Sequence, residues 1–209
     1  MNIKSIHQPR VSAIILAAGL SSRMGENKLL KVWEGKTIFQ HNLEALPSGL
    51  LEEIIVVTGR DSEEIRSIAK EVLPQVKTVH NPDFTSGMTS SIQAGVRAVG
   101  DGVSGMMVCL SDMPLLTPEH YEELIYHFGQ CYQPGTPCLT APVVSGKRKN
   151  PVIFSRELKD EILAHGEKEG CREIVAAHSA NLHTVEFTDE RPFTDIDTLA
   201  DFSGLENND

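Results

Sequence analysis

Residues 11–28 have the sequence VSAIILAAGLSSRMGENK, in which an apolar run ends in small residues and is followed by a loop with serines and basic residues. The run over residues 11–18 is short and rich in branched apolar side chains, which predicts a β-strand buried on both faces. In an open parallel sheet, ligands bind in the crevice at the carboxyl ends of the strands. The loop after this strand is therefore a candidate binding loop.

Three further apolar segments are similar to the first and end in Gly, Asn or Asp: residues 52–59, 76–81 and 105–112. The segments between them have helical start signals, because Asp61 lies three residues before Glu64 and Pro118 follows a threonine. Strands and helices that alternate at this spacing predict right-handed crossovers and a mainly parallel sheet with helices on both faces. We therefore expect an α/β fold, with residues 1–209 forming a single three-layer domain around a Rossmann-like sheet.

The later part of the chain is less regular. Two apolar runs within residues 139–154 flank a Gly-Lys-Arg-Lys turn, which predicts a hairpin. The elements predicted after the hairpin are helices near 156–165 and 170–180, a strand at 183–189 and a terminal helix after 195–197. We interpret residues 138–190 as a substrate-side elaboration of the same sheet.

Composition restricts the class of protein. The formal net charge is −10, whereas binding a nucleic acid requires a basic surface. No apolar run approaches the roughly 18 to 20 residues of a membrane span, and the first ten residues lack the apolar core of a secretory signal. We therefore expect a cytoplasmic protein with no membrane or nucleic-acid partner. The four cysteines form no CxxC pair, which favours buried or idle thiols over disulfides or a zinc site.

The candidate loop fits neither of two common phosphate-binding motifs. A dinucleotide fingerprint needs G-x-G-x-x-G and a Walker loop needs four residues between its glycines, whereas five residues separate Gly19 from Gly25. Residues 17–19 would let a base and a ribose approach the backbone closely, and Arg23 and Lys28 supply two positive charges. The loop suits a nucleoside triphosphate. The same residues also fit a small-residue turn with two solvated basic side chains.

Three aspartates, one at position 112 and two at positions 195 and 197, are candidates for a metal site. Asp112 ends the strand predicted at 105–112, where its carboxylate is suited to Mg²⁺, a hard ion that takes oxygen ligands. Asp195 and Asp197 lie two residues apart, so their side chains point to opposite sides if the segment is extended. We favour Asp197 over Asp195 as the second metal ligand. An aspartate at position 112 also fits a structural role in which it caps the following loop.

Five segments in order resemble the MobA-like nucleotidyltransferases, and within them the molybdenum cofactor cytidylyltransferases: LAAGLSSRMGENKLL (16–30), NPDFTSGMTSSIQAG (81–95), LSDMP (110–114), RKNPVIF (148–154) and DIDT (195–198). The resemblance implies a nucleotide-diphospho-sugar transferase-like fold. It also implies transfer of CMP from CTP to the terminal phosphate of Mo-molybdopterin, with release of pyrophosphate, to give molybdopterin cytosine dinucleotide. The implied cofactor is Mg²⁺, and the implied protein partner is an apo-molybdoenzyme such as a xanthine dehydrogenase.

The resemblance also implies residue roles. The catalytic residues would be Arg23, Lys28 and Asp112, and the metal ligands Asp112 and Asp197. The nucleotide contacts would be Leu16, Ala17, Ala18, Gly19, Arg23, Lys28, Asn81, Gly87 and Ser91. The acceptor contacts would be Asn150, Pro151, Arg172 and Asp195.

Two details of the resemblance concern specificity. Guanylyltransferases of this family commonly have Leu-Ala-Gly-Gly where this chain has Leu-Ala-Ala-Gly, so the methyl group of Ala18 is a candidate discriminator of the base. Residues 147–149 form a basic cluster in an otherwise acidic chain, which would attract a phosphorylated pterin, although an exposed hairpin tip is commonly charged. Lys149 stands where the family commonly has glycine.

Alternative functions remain open from the sequence. One keeps the chemistry but uses GTP or another small phosphorylated acceptor. Another is a maturation accessory that binds molybdopterin without turning over a nucleotide. Lys28 and Asp112 disfavour the accessory, because a pure carrier has no need for a metal carboxylate facing a phosphate loop.

Overall fold

The computed structural model describes residues 9–19 and 27–206. The strands and helices in this part of the chain are, in order, β1 (Val11–Ala17), β2 (Val32–Trp33), β3 (Lys36–Thr37), α1 (Ile38–Glu44), β4 (Leu51–Thr58), α2 (Ser62–Val72), β5 (Lys77–His80), α3 (Met88–Ala98), β6 (Gly105–Leu110), α4 (Pro118–Cys131), β7 (Leu139–Val144), β8 (Lys147–Arg148), β9 (Val152–Ser155), α5 (Lys159–Ala164), α6 (Arg172–Ala177), β10 (Leu182–Phe187) and α7 (Leu199–Glu206). None of these helices combines the length and the apolar composition that crossing a membrane requires.

The central sheet has the strand order β10-β7-β9-β6-β1-β4-β5, with β8 paired to β7. Strand β1 lies in the middle and pairs in parallel with both β4 and β6, so that Ile14 has Ile55 on one side and Val108 on the other. Strands β4 and β5, and β7 and β10, are also parallel, whereas β9 is antiparallel to both β6 and β7. The predicted α/β fold with a mainly parallel sheet is confirmed.

Buried side chains cover both faces of this sheet. On one face, residues of α1, α2 and α4 such as Phe39, Ile65 and Phe128 form one hydrophobic cluster. On the other, residues of α3, α5 and α6 such as Ile92 and Ile162 form a second. The sheet is therefore the middle layer of three. Its strands have nearly continuous apolar sequences because both of their faces are buried.

The predicted hairpin of residues 139–154 is present, but the predicted basic turn contributes a short strand, β8, before the second apolar run forms β9. The turn at 145–146 joins β7 to β8, and Val143 lies opposite Arg148. After Asn150 and Pro151 the chain enters β9, which lies between β7 and β6. The substrate-side elaboration therefore adds strands to the main sheet and places the basic turn beside its carboxyl edge.

Helix α2 begins after Asp61 as predicted, but the Asp61 side chain does not cap it within the described residues. Asp61 is the N-cap residue, but it has a left-handed backbone (φ +55°) and, within the described residues, its side chain makes no capping hydrogen bond. The Asp61 carboxylate instead accepts a hydrogen bond from Nδ2 of Asn27, at 3.0 Å. A contact to the candidate loop has replaced the local cap.

Glycine at position 95 allows α3 to pack closely on the sheet. A Cβ added at Gly95 would lie 2.2 Å from Cγ2 of Ile14 and 3.1 Å from Cγ2 of Val57. Real Cβ atoms do not approach other atoms this closely, so a side chain here forces the helix away from β1 and β4. The position of the α3 N-terminus at the carboxyl edge depends on this contact.

We expect Gly95→Ala to lower the free energy of unfolding by about 1 to 3 kcal/mol, because overpacking at the sheet outweighs the better helix propensity of alanine. Urea unfolding measures this change. The matched control is Gly204→Ala in α7, where an added Cβ meets no described atom within 4 Å. The control should be as stable as the wild type or slightly more stable. A Gly95→Ala protein as stable as the control would contradict the close packing.

Candidate functional site

The carboxyl ends of the parallel strands β1, β4, β5 and β6 lie together at one edge of the sheet. The candidate loop leaves β1 here: Ala17 and Ala18 are buried, whereas Gly19 is exposed. Oγ of Ser111 donates a hydrogen bond to the carbonyl oxygen of Leu16, at 2.6 Å, which fixes the end of β6 to the end of β1. This edge brings the predicted loop and the predicted metal aspartate together.

Three carboxylates converge at this edge. One oxygen from each of Asp112, Asp195 and Asp197 lies within 4.8 Å of the others, and we call these three residues the acidic cluster. The expectation that Asp195 and Asp197 point to opposite sides is wrong, because the segment is not part of a strand. Its backbone is held by the amide of Ile196, which donates to the carbonyl oxygen of Asp112 at 3.0 Å. Both side chains therefore turn towards Asp112.

Lys28 places its ammonium group inside the acidic cluster. Its Nζ lies 2.6 Å from Oδ2 of Asp112 and 2.9 Å from Oδ1 of Asp197. Burial lowers the pKa of Lys28, but the attraction of the two carboxylates outweighs it and the net shift is upward. Burial raises the pKa of Asp112, with Lys28 opposing that shift and the charge of Asp195 adding to it. The lysine is therefore the cation that allows these carboxylates to lie close together.

The acidic cluster has the donor set that a hard divalent cation prefers. Within the described residues, Oδ1 of Asp112 is buried and has no hydrogen-bond partner. A buried carboxylate oxygen without a partner is costly, and coordination to a cation removes that cost. Oxygen ligands from two or three carboxylates suit Mg²⁺ or a similar ion. The residues present therefore fit the expected metal.

Asp201 holds the segment that carries Asp197, and we did not identify it from the sequence. Its Oδ2 accepts hydrogen bonds from the amides of Asp197 and Thr198, at 3.0 and 2.7 Å, and from the Thr198 hydroxyl at 2.8 Å. In return, the amide of Asp201 donates to Oγ1 of Thr198. A threonine followed three residues later by an acidic residue is a sequence signal for a helix start, and it was available here.

The predicted nucleotide residues after β5 form a hydrogen-bonded network. Asn81 is buried, and its Nδ2 donates to Oγ of Ser90 at 2.9 Å and to Oγ of Ser91 at 3.0 Å. Its Oδ1 accepts from the amide of Asp83. Ser91 is also buried, whereas Ser90 is partly exposed at the start of α3. In this structure the side chains of Asn81 and Ser91 contact each other and fix the turn before α3.

Gly87 lies at the N-terminus of α3, against the segment that precedes α6. Its φ of +127° disfavours other residues, and an added Cβ would lie 2.5 Å from the carbonyl oxygen of Lys168. Nearby, the amide of Gly170 donates to Oγ1 of Thr89 at 3.0 Å. The predicted nucleotide segment, residues 81–95, is therefore hydrogen-bonded to the residues just before Arg172, a predicted acceptor contact.

A cavity of about 290 Å³ lies beside the acidic cluster. Three of the four predicted acceptor residues line it: Asn150, Arg172 and Asp195. Pro151, the fourth, is buried next to Asn150 and is not among the described residues that line the cavity. The walls are otherwise largely apolar, with side chains that include Leu110, Val152, Phe154 and Phe193.

Two arginines supply positive charge to this cavity. The pKa of Arg148 is lowered, first by burial and then by the like charge of Arg172. Arg172 is largely exposed, with its guanidinium 3.6 Å from the carboxylate of Glu169. Lys149, from the same basic turn as Arg148, pairs with Glu190 at 2.8 Å. The cavity therefore combines an apolar wall with two guanidinium groups.

Arg23 lies outside the described residues. All the other predicted site residues lie on loops or element ends at the carboxyl edge or on the adjoining cavity. The structure thus brings together a loop of small residues, an acidic cluster with a lysine, and a partly apolar cavity with two arginines.

A model of the MobA-like NTP transferase domain matches residues 13–182 of this sequence. The chain belongs to this family. Membership supports an enzyme that transfers nucleotidyl groups, and the matched region contains the candidate loop, Asp112 and most of the cavity. Asp195, Asp197 and Asp201 follow the matched region.

Curated relatives of two specificities are similar to this member of the family. The molybdenum cofactor cytidylyltransferase of Escherichia coli K12 is 27% identical over 192 residues, which are 92% of this chain and 93% of that protein. A protein of Bacillus anthracis described as a probable molybdenum cofactor guanylyltransferase is 28% identical over 159 residues, which are 74% of this chain and 73% of that protein.

A solved structure shows the same fold. Rv0371c from Mycobacterium tuberculosis H37Rv aligns with a TM-score of 0.80 and 19% identity, covering 95% of this chain and 98% of that chain. A complex of Rv0371c with manganese aligns with a TM-score of 0.71 and 17% identity, covering 96% of this chain and all (100%) of the other. The fold of this family member is that of the nucleotide-diphospho-sugar transferases.

We expect Asp201→Ala to weaken the binding of Mn²⁺ or Mg²⁺ by about 10- to 100-fold, because the Asp197 backbone loses the carboxylate that orients it. Isothermal titration with each ion measures the affinity. Asp160→Ala is the matched control, since Asp160 is an exposed aspartate in the first turn of α5. Equal affinities in the two variants would show that Asp201 does not position the metal ligand.

Proposed function

We propose that this chain transfers CMP from CTP to the terminal phosphate of molybdopterin, releasing pyrophosphate and forming molybdopterin cytosine dinucleotide. The observation that carries the proposal is the acidic cluster with Lys28 at its centre, directly beside the loop that follows β1. Nucleotidyl transfer joins two anionic substrates, so charge is its main obstacle. A site with a fixed ammonium group, carboxylate ligands for a metal ion and a loop of small residues is suited to binding and neutralising such anions.

On the nucleotide side, positions 16–19 would bind the nucleoside and Lys28 the phosphates. Ala17 and Ala18 are fixed by burial, and the buried network of Asn81 and Ser91 holds the turn at the other side of this edge. These residues act by position rather than by covalent chemistry, because the acceptor phosphate is itself the nucleophile. We retain Arg23 as a second phosphate contact from the sequence alone.

Near the reacting phosphates, the chain would supply the positive charge of Lys28 and the carboxylate ligands of a metal ion. Asp112 and Asp197 would hold a divalent metal, which would supply charge neutralisation to the phosphate oxygens when bound. The Lys28 ammonium group lies against these two carboxylates and would stabilise the negative charge that moves onto the departing pyrophosphate. The manganese complex of Rv0371c, a protein of the same fold, supports divalent-metal use. We propose Mg²⁺ as the resident ion.

On the acceptor side, the cavity would hold the pterin. Its apolar walls suit a flat ring system, and Arg148 and Arg172 suit an anionic group attached to it. Asp195 lines this cavity and also belongs to the acidic cluster, so an acceptor bound here would lie next to the reacting phosphates. The apo-molybdoenzyme partner stays a prediction.

Two points favour CTP over GTP. The Escherichia coli cytidylyltransferase aligns over more of this chain than the Bacillus anthracis relative does. The chain also has alanine rather than glycine at position 18, where the buried end of β1 gives the backbone little room to move. A nucleotidyltransferase that uses GTP, or that acts on another phosphorylated acceptor, is the second candidate.

The test is to incubate the pure protein with each nucleotide and Mg²⁺ and to measure pyrophosphate with and without molybdopterin. Release that requires both CTP and molybdopterin supports the proposal. Release with GTP, or only with a different phosphorylated acceptor, supports the second candidate. Binding of molybdopterin without any release would indicate a maturation accessory.

We expect Asp112→Asn to abolish turnover with the fold intact. Losing this charge removes several kcal/mol of transition-state stabilisation, which corresponds to at least about a hundredfold in rate. The readout is the rate of pyrophosphate release, with circular dichroism as the check on folding. Asp101→Asn changes an exposed aspartate away from the site and should leave the rate unchanged. A folded Asp112→Asn protein with a normal Mg²⁺-dependent rate would contradict the assignment.

We expect the wild type to prefer CTP, and Ala18→Gly to narrow that preference without reversing it. The methyl group should occupy space that a purine would use, and one methyl in a tight pocket is worth about 1 to 3 kcal/mol. Values of kcat/KM for both nucleotides in both proteins measure the effect. A wild type that prefers GTP would overturn the cytidylyl assignment and leave the nucleotidyltransferase assignment in place.

A further inference from the structure

Two of the four cysteines lie next to each other, outside the candidate site. Cys131 is the last residue of α4 and Cys138 immediately precedes β7, and their Sγ atoms are 4.0 Å apart. The sequence had favoured idle thiols, because the pair is separated by six residues and forms no recognisable motif. Both are free thiols in this structure, as are Cys109 and Cys171. The latter two are buried on other elements.

The two thiols of the pair differ in exposure. Cys131 is partly exposed, beside a surface cavity of about 470 Å³ whose lining includes His127, Gln130 and His183. Cys138 is buried, and its amide is held by the hydroxyl oxygen of Ser155 at 3.1 Å. A small oxidant in solvent can therefore reach Cys131, whereas Cys138 borders the same cavity with little exposed surface.

The surroundings of the two sulfur atoms also shift the pKa values of the two thiols in opposite directions. The neighbouring Cys138 lowers the pKa of Cys131, with Thr140 and the nearby His183 adding to the shift and burial opposing it. The neighbouring Cys131 and burial both raise the pKa of Cys138. Burial likewise raises the pKa of Cys109 and of Cys171. Reactivity towards oxidants follows thiolate character and exposure, which singles out Cys131.

We propose that Cys131 and Cys138 form a reversible thiol modification site that a peroxide converts into an intramolecular disulfide. Sγ of Cys131, as the thiolate, attacks one peroxide oxygen. The O–O bond breaks, the leaving oxygen takes up a proton and departs as water, and Cys131 becomes a sulfenic acid. Sγ of Cys138 then loses its proton, attacks Sγ of Cys131 and displaces the hydroxyl group as a second water. The two thiols lose two electrons in total, and the peroxide gains them.

The geometry suits this second step. The sulfur atoms already lie 4.0 Å apart, and closing the bond requires them to approach to about 2.05 Å. The bond would tie the end of α4 to the start of β7 across residues 132–137. Strand β7 continues to the turn that carries Arg148, but the proposal does not depend on the proposed function.

The test uses the full chain treated with hydrogen peroxide, alkylated and digested without reduction. We expect one cross-linked peptide pair containing Cys131 and Cys138, two hydrogens lighter than the reduced pair, which dithiothreitol reverses. Cys138→Ser should accumulate a sulfenic acid at Cys131 that dimedone traps, and Cys131→Ser should form neither product. Cys171→Ser is the matched control for disulfide formation and should behave as the wild type does in this assay.

The outcomes separate a reactive pair from two inert thiols. Disulfide in the wild type and in Cys171→Ser, with loss in both single variants of the pair, supports the proposal. Oxidation at Cys109 or Cys171 as fast as at Cys131 would overturn it, as would an unreacted pair under peroxide that oxidises free cysteine. An intact circular dichroism spectrum for each variant shows that the result does not come from misfolding.

Discussion

The ion pairs of Lys28 with Asp112 and Asp197 are the constraint on which the rest of the candidate site depends. Removing charged groups from water is costly unless they are paired, and only 15% of the side-chain surface of Lys28 and of Asp112 is exposed. Lys28 follows the loop after β1, Asp112 follows β6, and Asp197 comes from the segment before α7. These groups meet because β1 and β6 are parallel neighbours whose carboxyl ends coincide. The sheet order thus brings Lys28 to Asp112, which lies 84 positions later in the chain. The hydrogen bond from Ile196 to Asp112 adds Asp197, which lies 169 positions after Lys28.

The two sides of the candidate site differ in the interactions between their side chains. Towards the candidate nucleotide position, polar side chains such as Asn81 and Ser91 are buried and bonded to each other, which fixes the backbone. Towards the cavity, Arg148 and Arg172 repel each other and are only partly covered. Like charges held close together gain from an anion placed between them. One side of the site is thus a rigid polar network, whereas the other holds Arg148 and an Arg172 whose guanidinium lies 3.6 Å from the Glu169 carboxylate.

Much of the fold followed from local patterns, since short branched apolar runs and helix-cap residues are set by neighbours in the sequence. The first four strands predicted from such runs are present, with ends within two residues. The convergence of Asp195 with Asp197 could not be predicted in this way. It depends on one tertiary hydrogen bond, from Ile196 to the Asp112 carbonyl, that no periodicity encodes. The lost cap of Asp61 has the same origin, because its carboxylate is taken by Asn27 from a distant part of the chain.

That unexpected convergence changes the charge balance of the site. With Asp195 included, three carboxylates lie close to the Lys28 ammonium group among the residues that the structure describes, which do not include Arg23. Burial is the main cause of the upward shift in the pKa of Asp112, and the charge of Asp195 adds to it. Each carboxylate added at one place strengthens the attraction to a divalent cation more than to a monovalent one. The third carboxylate thus adds, in electrostatic terms alone, to the support for the divalent metal that we propose for this site.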